Sequence, residues 1–378
     1  MKKSLEIIFL IAILFSSTLY SQPAPNPQDV IINPFWEFYT ANYLSTVSAG
    51  RGFTGVASIN DISGSSLNPA SVYIDKKYQV NVQYTYKTDQ PWLPGLSSSL
   101  NLKHLPPSLS AAFGYRINKT FQTGFIYSNP QSMNFDLGVI IRTDEFGNEI
   151  GRYDGYEKYS TNSFSIPFVY TGKRISLGLN LNYTMFTSKS NIQSGISVSN
   201  SDLTASTNRF NIDAGFLFKL SNNFSIGGKV TPGYLSKVKY TFSDGTVTEN
   251  SNARFPWKAS AGLEYTNPDK RLRLDLDYSF EGTSSVSELK NRNDFHFGGE
   301  YDINKIWTAR AGFFTLMDYR NSSVNFLDPV GKYDQLFFSL GSTVKFNSLK
   351  ISLAILDSHI SPGMIKNTYL NAGATYNF

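Results

Sequence analysis

Three histidines, His104, His296 and His359, and no cysteine make up the whole imidazole and thiol chemistry of this chain. Only one of the three has a carboxylate on its own strand face, because Asp294 and His296 stand at i and i+2. Such a pair is two ligands of a metal site or two members of a proton relay at best. A structural metal site needs four donors and a nucleophilic relay needs a third group, so the pair reads as polar side chains facing water. Without cysteine there is neither a disulfide framework nor a thiolate metal site. No Gly-rich phosphate loop follows a buried strand, and no nucleophile elbow is present. The chain therefore reads as a non-enzyme, with no metal and no cofactor.

A different stretch has residue types that need a special setting. Ser48–Ala57 holds Gly50, Arg51, Gly52 and Gly55, and is followed by Asp61 and then by Asn68-Pro69-Ala70-Ser71. Glycines permit φ > 0 and close backbone approach, and Asn-Pro favours a turn. The pattern is that of a compact, non-repetitive segment packed against something larger. Its bulky side chains are few: Phe35, Trp36, Phe38, Tyr39, Tyr43 and Phe53. Residues 34–75 bury too little apolar surface to be stable alone.

The elements that must hold this segment are strands. The 378 residues are 41% hydrophobic with 23 Tyr and 29 Phe against 4 Trp, and the mean hydropathy is −0.23, too polar for a helical membrane bundle. High aromatic content with low average hydropathy fits a barrel with aromatic girdles outside and a polar lumen. Residues 1–21, with Lys2, Lys3, an apolar run from Ile7 to Phe15 and Ser21, have the layout of a secretory signal peptide; the run is too short to span as a helix. Residues 22–33, with Pro23, Pro25 and Pro27, read as an extended tether, so 22–75 form an N-terminal extension and 76–378 the barrel. The net charge of +5 loses Lys2, Lys3 and Glu6 with the signal peptide and is scattered, which excludes a nucleic-acid footprint and suits contact with anionic lipopolysaccharide.

From residue 76 the period is two. Tyr78, Val80, Val82, Tyr84 and Tyr86 share one face and Lys77, Gln79, Asn81, Gln83 and Thr85 the other. After a connection through Pro91, Pro94, Pro106 and Pro107, six hairpins follow: 108–118 with 120–142, 152–171 with 174–186, 208–220 with 223–239, 254–266 with 271–281, 293–303 with 306–317, and 334–346 with 349–357. A closing strand spans 368–378. Further strand is expected inside the 187–207 loop. One opening strand, six hairpins and one closing strand predict a fourteen-stranded, antiparallel, transmembrane all-β barrel with short turns on one side and long loops on the other. Periodicity alone does not distinguish it from a soluble sandwich with the apolar face inward. The signal peptide, the tyrosine-rich faces and the C-terminus favour the barrel.

The Gly50-Arg51-Gly52 run, Gly55, Asp61 and Asn68-Pro69-Ala70 together resemble the N-terminal hatch of the FadL/TodX family, outer-membrane channels for long-chain fatty acids and aromatic hydrocarbons; many members carry Gly where this chain has Ser71. The resemblance implies fourteen strands, a hatch plugging the lumen, an apolar pocket inside the barrel, and passive uptake of a hydrophobic small molecule across the outer membrane of a Gram-negative type cell. It also implies a kink in the third strand through which substrate leaves sideways into lipid. In this chain the third strand is too long for one span and is interrupted at Asn129-Pro130, which lacks a ladder donor; the alternative is that Asn129-Pro130 only marks where the strand leaves the membrane. The alternating end Leu370, Ala372, Ala374, Tyr376, Phe378 resembles the terminal-Phe signal read by the barrel-assembly machinery. Two other functions fit such a barrel: a partner in a secretion or surface-protein system, with no apolar pocket in the lumen, and a general porin, with an open aqueous channel and no hatch.

Overall fold

Alternation becomes ladder wherever the structure, a computed structural model, describes the chain: residues 29–30, 45–87, 108–130, 132–144, 146–190, 203–242, 245–285, 289–318, 334–360 and 367–378. The signal peptide, the tether apart from Asp29–Val30, the anchors Phe35 to Tyr43, the 91–107 connection and His104 lie outside the described residues. The strands are β1 (Asp29–Val30), β2 (Tyr78–Lys87), β3 (Ser108–Arg116), β4 (Phe121–Ser128), β5 (Ser132–Thr143), β6 (Glu149–Thr171), β7 (Ile175–Ser190), β8 (Leu203–Lys219) and β9 (Phe224–Thr231). They continue with β10 (Tyr234–Phe242), β11 (Val247–Phe255), β12 (Lys258–Thr266), β13 (Leu272–Glu281), β14 (Arg292–Asp302), β15 (Trp307–Leu316), β16 (Gln335–Phe346), β17 (Leu349–Asp357) and β18 (Thr368–Asn377).

Wall neighbours pair antiparallel in chain order, and β18 returns to β2 from Tyr369↔Lys87 to Asn377↔Gln79, so the sheet is closed. Three wall strands are each broken in two, as β4/β5, β9/β10 and β11/β12, and β2–β18 therefore make 14 wall strands. Each break contains a proline, at Pro130, Pro232 and Pro256, whose missing N–H cannot join a ladder. The sequence reading located the first break but ran 223–239 as one strand and began the next at 254. The structure corrects both: Pro232-Gly233 and Pro256-Trp257 divide those strands, and β11 begins at Val247. The 187–207 loop does hide strand, since β7 runs to Ser190 and β8 starts at Leu203. At 23, 16 and 17 residues, β6, β7 and β8 outrun the roughly 9–11 that cross a bilayer, so this part of the wall continues beyond it. β1 adds a two-residue parallel pairing to the edge of β11.

The turns at one end are tight and follow one chemistry. The Asn118 carboxamide oxygen accepts the N–H groups of Thr120 and Phe121, Asn304 does the same for Ile306 and Trp307, and the Ser221 hydroxyl does so for Asn223 and Phe224. Just above these turns sits a girdle of rings: Tyr78 packs on Tyr115 at 5.4 Å and on Phe378 at 5.3 Å, Phe121 on Tyr170 at 5.5 Å, and Phe224 on Tyr265 at 5.0 Å.

The orientation that periodicity left open is settled by burial. Gln79, Asn81 and Gln83 are buried, whereas Val80, Val82, Tyr84 and Tyr86 are exposed; Asp275 and Asp277 are buried, whereas Leu276 and Tyr278 are exposed. The barrel is polar inside and apolar outside. A closed sheet with that arrangement satisfies its backbone internally and presents a surface that lipid covers.

Candidate functional site: the interior segment and the wall that holds it

Residues 45–75 touch side chains from strands on every side of the ring, which places them inside it. Their local structure follows from caps. Ser45 caps the one-turn helix Thr46–Ala49 by accepting the Ser48 N–H at 3.3 Å. Asp61 caps a 3-10 turn over Ile62–Ser66 through the Ser63 N–H at 3.0 Å. Asn68 caps a second over Pro69–Ser71 through the Ala70 N–H at 3.0 Å, with Pro69 in the first position, where no donor is needed. The Asn-Pro-Ala signature is thus a helix start. Gly52 at φ 69° and Gly55 at φ 145° take left-handed geometry that L side chains resist. The segment closes on itself at Asn60: its N–H reaches the Ser71 carbonyl at 2.9 Å, and its carbonyl accepts the Tyr73 N–H at 2.8 Å.

The wall grips this segment by its backbone. Asp277 accepts the N–H groups of Gly55 at 2.7 Å and Val56 at 2.9 Å; the carboxamide oxygens of Gln83, Gln79 and Gln122 accept those of Thr46 at 3.0 Å, Ile62 at 2.8 Å and Ile74 at 2.5 Å. Ser339 accepts from the Gly52 N–H at 2.8 Å, and His296 donates from Nδ1 to the Gly52 carbonyl at 3.0 Å. On the opposite wall, Asn180 and Lys229 donate to the carbonyls of Ser65 at 2.9 Å and Ser66 at 2.6 Å. Arg51 is 1% exposed; it faces Asp275 at 3.5 Å and donates to the Asn60 side chain at 2.7 Å and the Thr54 carbonyl at 3.3 Å. Asp61 accepts from Asn81 at 3.3 Å and Thr375 at 3.0 Å, on the two strands that close the ring. Asn68 donates to the carbonyls of Val56 at 2.6 Å and Phe216 at 2.9 Å.

Close approach is possible because the wall presents glycine. A Cβ on Gly341 would lie 2.7 Å from the Gly50 Cα; on Gly178, Gly215, Gly227, Gly298 or Gly312 it would press harder still on Pro69, Asn68, Val56, Arg51 and Gly52. The sequence reading missed this belt, together with Asp275, Asp277 and His296 as anchors. Its signal was present: strand after strand carries a lone inward glycine near its middle, as in SLGLN, DAGFL, SAGLE and RAGFF.

The remaining sequence candidates are placed as follows. Asp294 and His296 both face the interior but do not meet: Asp294 binds the Arg292 guanidinium at 2.8 Å and the Met317 N–H at 2.8 Å, while His296 lies 3.2 Å from the Ser279 hydroxyl. His359 pairs with Asp357 at 3.0 Å near the ends of β17 and β18. Tyr376 and Phe378 sit on the outer face, and Phe378 exchanges backbone hydrogen bonds with Tyr78 at 2.9 and 3.0 Å across the barrel seam. At Asn129-Pro130 the ladder to β6 passes from Ser128↔Ser163 to Ser132↔Ser160, so 129–131 stand opposite 161–162, one residue in excess. β3 still holds the spot, through the Asn129 N–H to the Leu109 carbonyl at 2.9 Å and the Ser108 hydroxyl to the Pro130 carbonyl at 3.3 Å.

Two interior cavities lie beside the segment. One, of about 160 Å³, is bordered by Phe53, Leu67, Lys258, Glu281, Arg292 and His296; the other, of about 250 Å³, runs from Pro130 and Ser128 past Asn182 and Arg209 to Asp213 and Thr231. Most residues of both linings carry a hydroxyl, amide or charge, while carbon atoms present more of the cavity surface than polar atoms do. The apolar interior residues are instead packed solid: Phe53 meets Phe314 edge-on at 5.0 Å, Phe314 stacks on Phe337 at 4.8 Å, and Phe337 on Tyr369 at 5.8 Å, all buried.

The closed fourteen-stranded fold has solved counterparts. A FadL homologue of Pseudomonas aeruginosa superposes with a TM-score of 0.63 at 18% identity, covering 90% of this chain and 99% of its own. The fold is that of the FadL/TodX channels. The toluene transporter TodX of Pseudomonas putida gives 0.63 at 13% identity over 90% and 100%, and the toluene transporter TbuX of Ralstonia pickettii 0.62 at 13% over 89% and 98%. The sequence matches no protein-family model and no curated protein. Within the FadL/TodX fold, the residues that prompted the resemblance, Gly50 to Ala70, are the ones the wall encloses.

Proposed function

We propose that the chain is an outer-membrane channel for passive uptake of hydrophobic small molecules, long-chain fatty acids among them, with residues 22–75 as N-terminal extension and hatch, the hatch being 34–75, and Asn129-Pro130 as a lateral exit. The observation that carries this reading is the interior segment. A small, polar-anchored body tied to the wall mainly through its backbone obstructs an axial aqueous path and can shift without dismantling the barrel. A hydrophobic molecule gains about 0.8 kcal/mol per CH₂ on passing from water to lipid, so a sideways route avoids the cost of crossing the periplasm. Pro130 borders the interior cavity, which supports an exit at that height.

Pro130→Thr restores a ladder donor and is expected to cut oleate uptake several-fold at equal surface abundance while leaving the barrel as stable or more so. Normal uptake would remove the exit from this position and leave Pro130 as the end of the membrane span. The polar residues that border both cavities favour a second reading, a pore for polar solutes; swelling of proteoliposomes in arabinose without any transport of oleate would support it.

The outer-face Phe378 supports contact with the assembly machinery, and magnitudes separate that role from packing. Its aromatic pairs contribute about 0.5–1.5 kcal/mol each, and an acidic residue near the interface costs about 1 kcal/mol or less. Phe378→Asp should therefore lower the stability of barrel refolded in detergent only modestly, yet reduce heat-modifiable protein in cells several-fold. Insertion at the normal level would remove the assembly role.

A further inference from the structure

The cavity that begins at Pro130 ends against Asp213, Lys229 and Thr231, and there the wall is more open than at the third strand. β8 is paired with β7 without interruption from Phe218↔Ile175 to Leu203↔Ser190. On its other edge the ladder to β9 stops at Ala214↔Val230 and the ladder to β10 begins only at Ser206↔Lys239. No register pair joins the two strands between those points. The cause lies in the neighbours: β9 and β12 are paired up to Thr231↔Lys258, both strands then break at Pro232-Gly233 and Pro256-Trp257, and β10 and β11 resume together at Tyr234↔Phe255. The β10–β11 hairpin thus leaves the line of the wall as a unit.

Side chains span the resulting interval in place of a ladder. Thr231 donates to the Asp213 carboxylate at 2.8 Å, Thr207 to the Lys237 carbonyl at 2.8 Å, and Ser236 to the Asn208 carbonyl at 2.7 Å. Lipid-facing Phe210 and Ile212 flank it outside, at 54% and 43% exposure, and Asn211 and Asp213 border the cavity inside. The height is that of the membrane: the 8 residues of β9, rising about 3.3 Å each at a tilt of about 45°, climb roughly 19 Å of an apolar layer roughly 30 Å thick. At that depth a backbone without its ladder is tolerated where it is buried in protein or borders a cavity large enough for water, and the cavity of about 250 Å³ lies behind it.

We propose that the interval between β8 and β10 is a second lateral opening, joining the interior cavity to the outer leaflet, and that hydrophobic molecules move between lumen and lipid there. The traffic rests on the uptake reading; the opening does not. The chain has no cysteine, so Asn208→Cys with Ser236→Cys gives one pair that oxidation can bridge. In cells, uptake of N-phenyl-1-naphthylamine should fall at least fivefold on oxidation and recover with dithiothreitol. A Pro232→Thr, Gly233→Val variant, which restores a continuous strand, should fall likewise. Uptake that persists at the wild-type rate in both overturns the opening as a route. A wild-type barrel that carries none of this probe overturns the uptake reading instead, and lipid access then decides the opening. In proteoliposomes, Asn211→Cys should react with bilayer-dissolved N-(1-pyrenyl)maleimide at least tenfold faster than Ser352→Cys, which faces the interior from the fully paired β17. Equal rates overturn the opening itself.

Discussion

Deletion of residues 45–74 is expected to leave an inserted barrel whose single-channel conductance rises at least about tenfold. The ladders that close the wall run between β2 and β18 and need no residue of that segment. What the deletion removes is the body between Gln79, Gln83 and Gln122 on one side and Asp275, Asp277 and Ser339 on the other. Those side chains would then face water, so none is left as a buried polar group without solvent, and the cost to the wall is modest. Planar-bilayer recording with potassium chloride checks this directly. Conductance equal to the full chain would mean that the lumen is closed elsewhere and that the segment is no hatch.

The second large effect concerns the ion pair that fixes the segment. Arg51→Ala leaves Asp275 buried beside the Ser58 hydroxyl without its paired guanidinium, and breaking a buried pair from one side costs about 3–5 kcal/mol. Arg51 sits at the centre of the grip on this segment of 31 residues, so Arg51→Ala is expected to loosen it although the backbone contacts remain: chymotrypsin should cut after Phe53, which is buried in the parent chain, and small polar solutes should leak. Replacing both partners, Arg51→Met with Asp275→Leu, removes the uncompensated charge and should restore at least half of the protection. If Arg51→Ala is as protected as the parent chain, the grip lies in the backbone contacts to Asp277, Ser339 and the three glutamines, and the ion pair is dispensable.

The wall was readable because lipid outside and water inside impose a period of two on every spanning strand. Which face is which was not readable from the period, since Leu272 to Phe280 alternate with Arg273 to Asp277 identically in a sandwich and a barrel. The breaks at Pro232-Gly233 and Pro256-Trp257 escaped because the runs 223–239 and 254–266 read as continuous strands through their prolines, whereas the missing N–H ends one ladder there and another starts beyond it. Asp294 and His296 share a face, yet residues two apart on one strand stand farther from each other than cross-strand neighbours do, and each took a partner elsewhere. For the interior segment, the turn at Asn68 is local and was legible as turn chemistry, whereas Asp61 stood out only through the resemblance and its capping role was not read. Its anchors were not: Gly55 and Val56 are bound by Asp277, more than two hundred residues along the chain. The glycines opposite it were legible in principle, because a residue without a side chain at the centre of a strand marks where another backbone comes close.

The seam at β2 and β18 sets an order in time. Asp61 is held by Asn81 of β2 and Thr375 of β18, and Thr46 and Ile62 rest on Gln83 and Gln79 of the same first strand. A finished ring offers no way in for a body whose backbone lies against the wall at Gly178, Gly227, Gly298 and Gly341. The segment precedes β2 in the chain and β18 follows the rest of the wall, so the curved sheet must gather the segment while its edges are still apart. The Asn81 amide on one edge and the Thr375 hydroxyl on the other then meet on the Asp61 carboxylate, and the interior becomes a template on which β2 and β18 find their register.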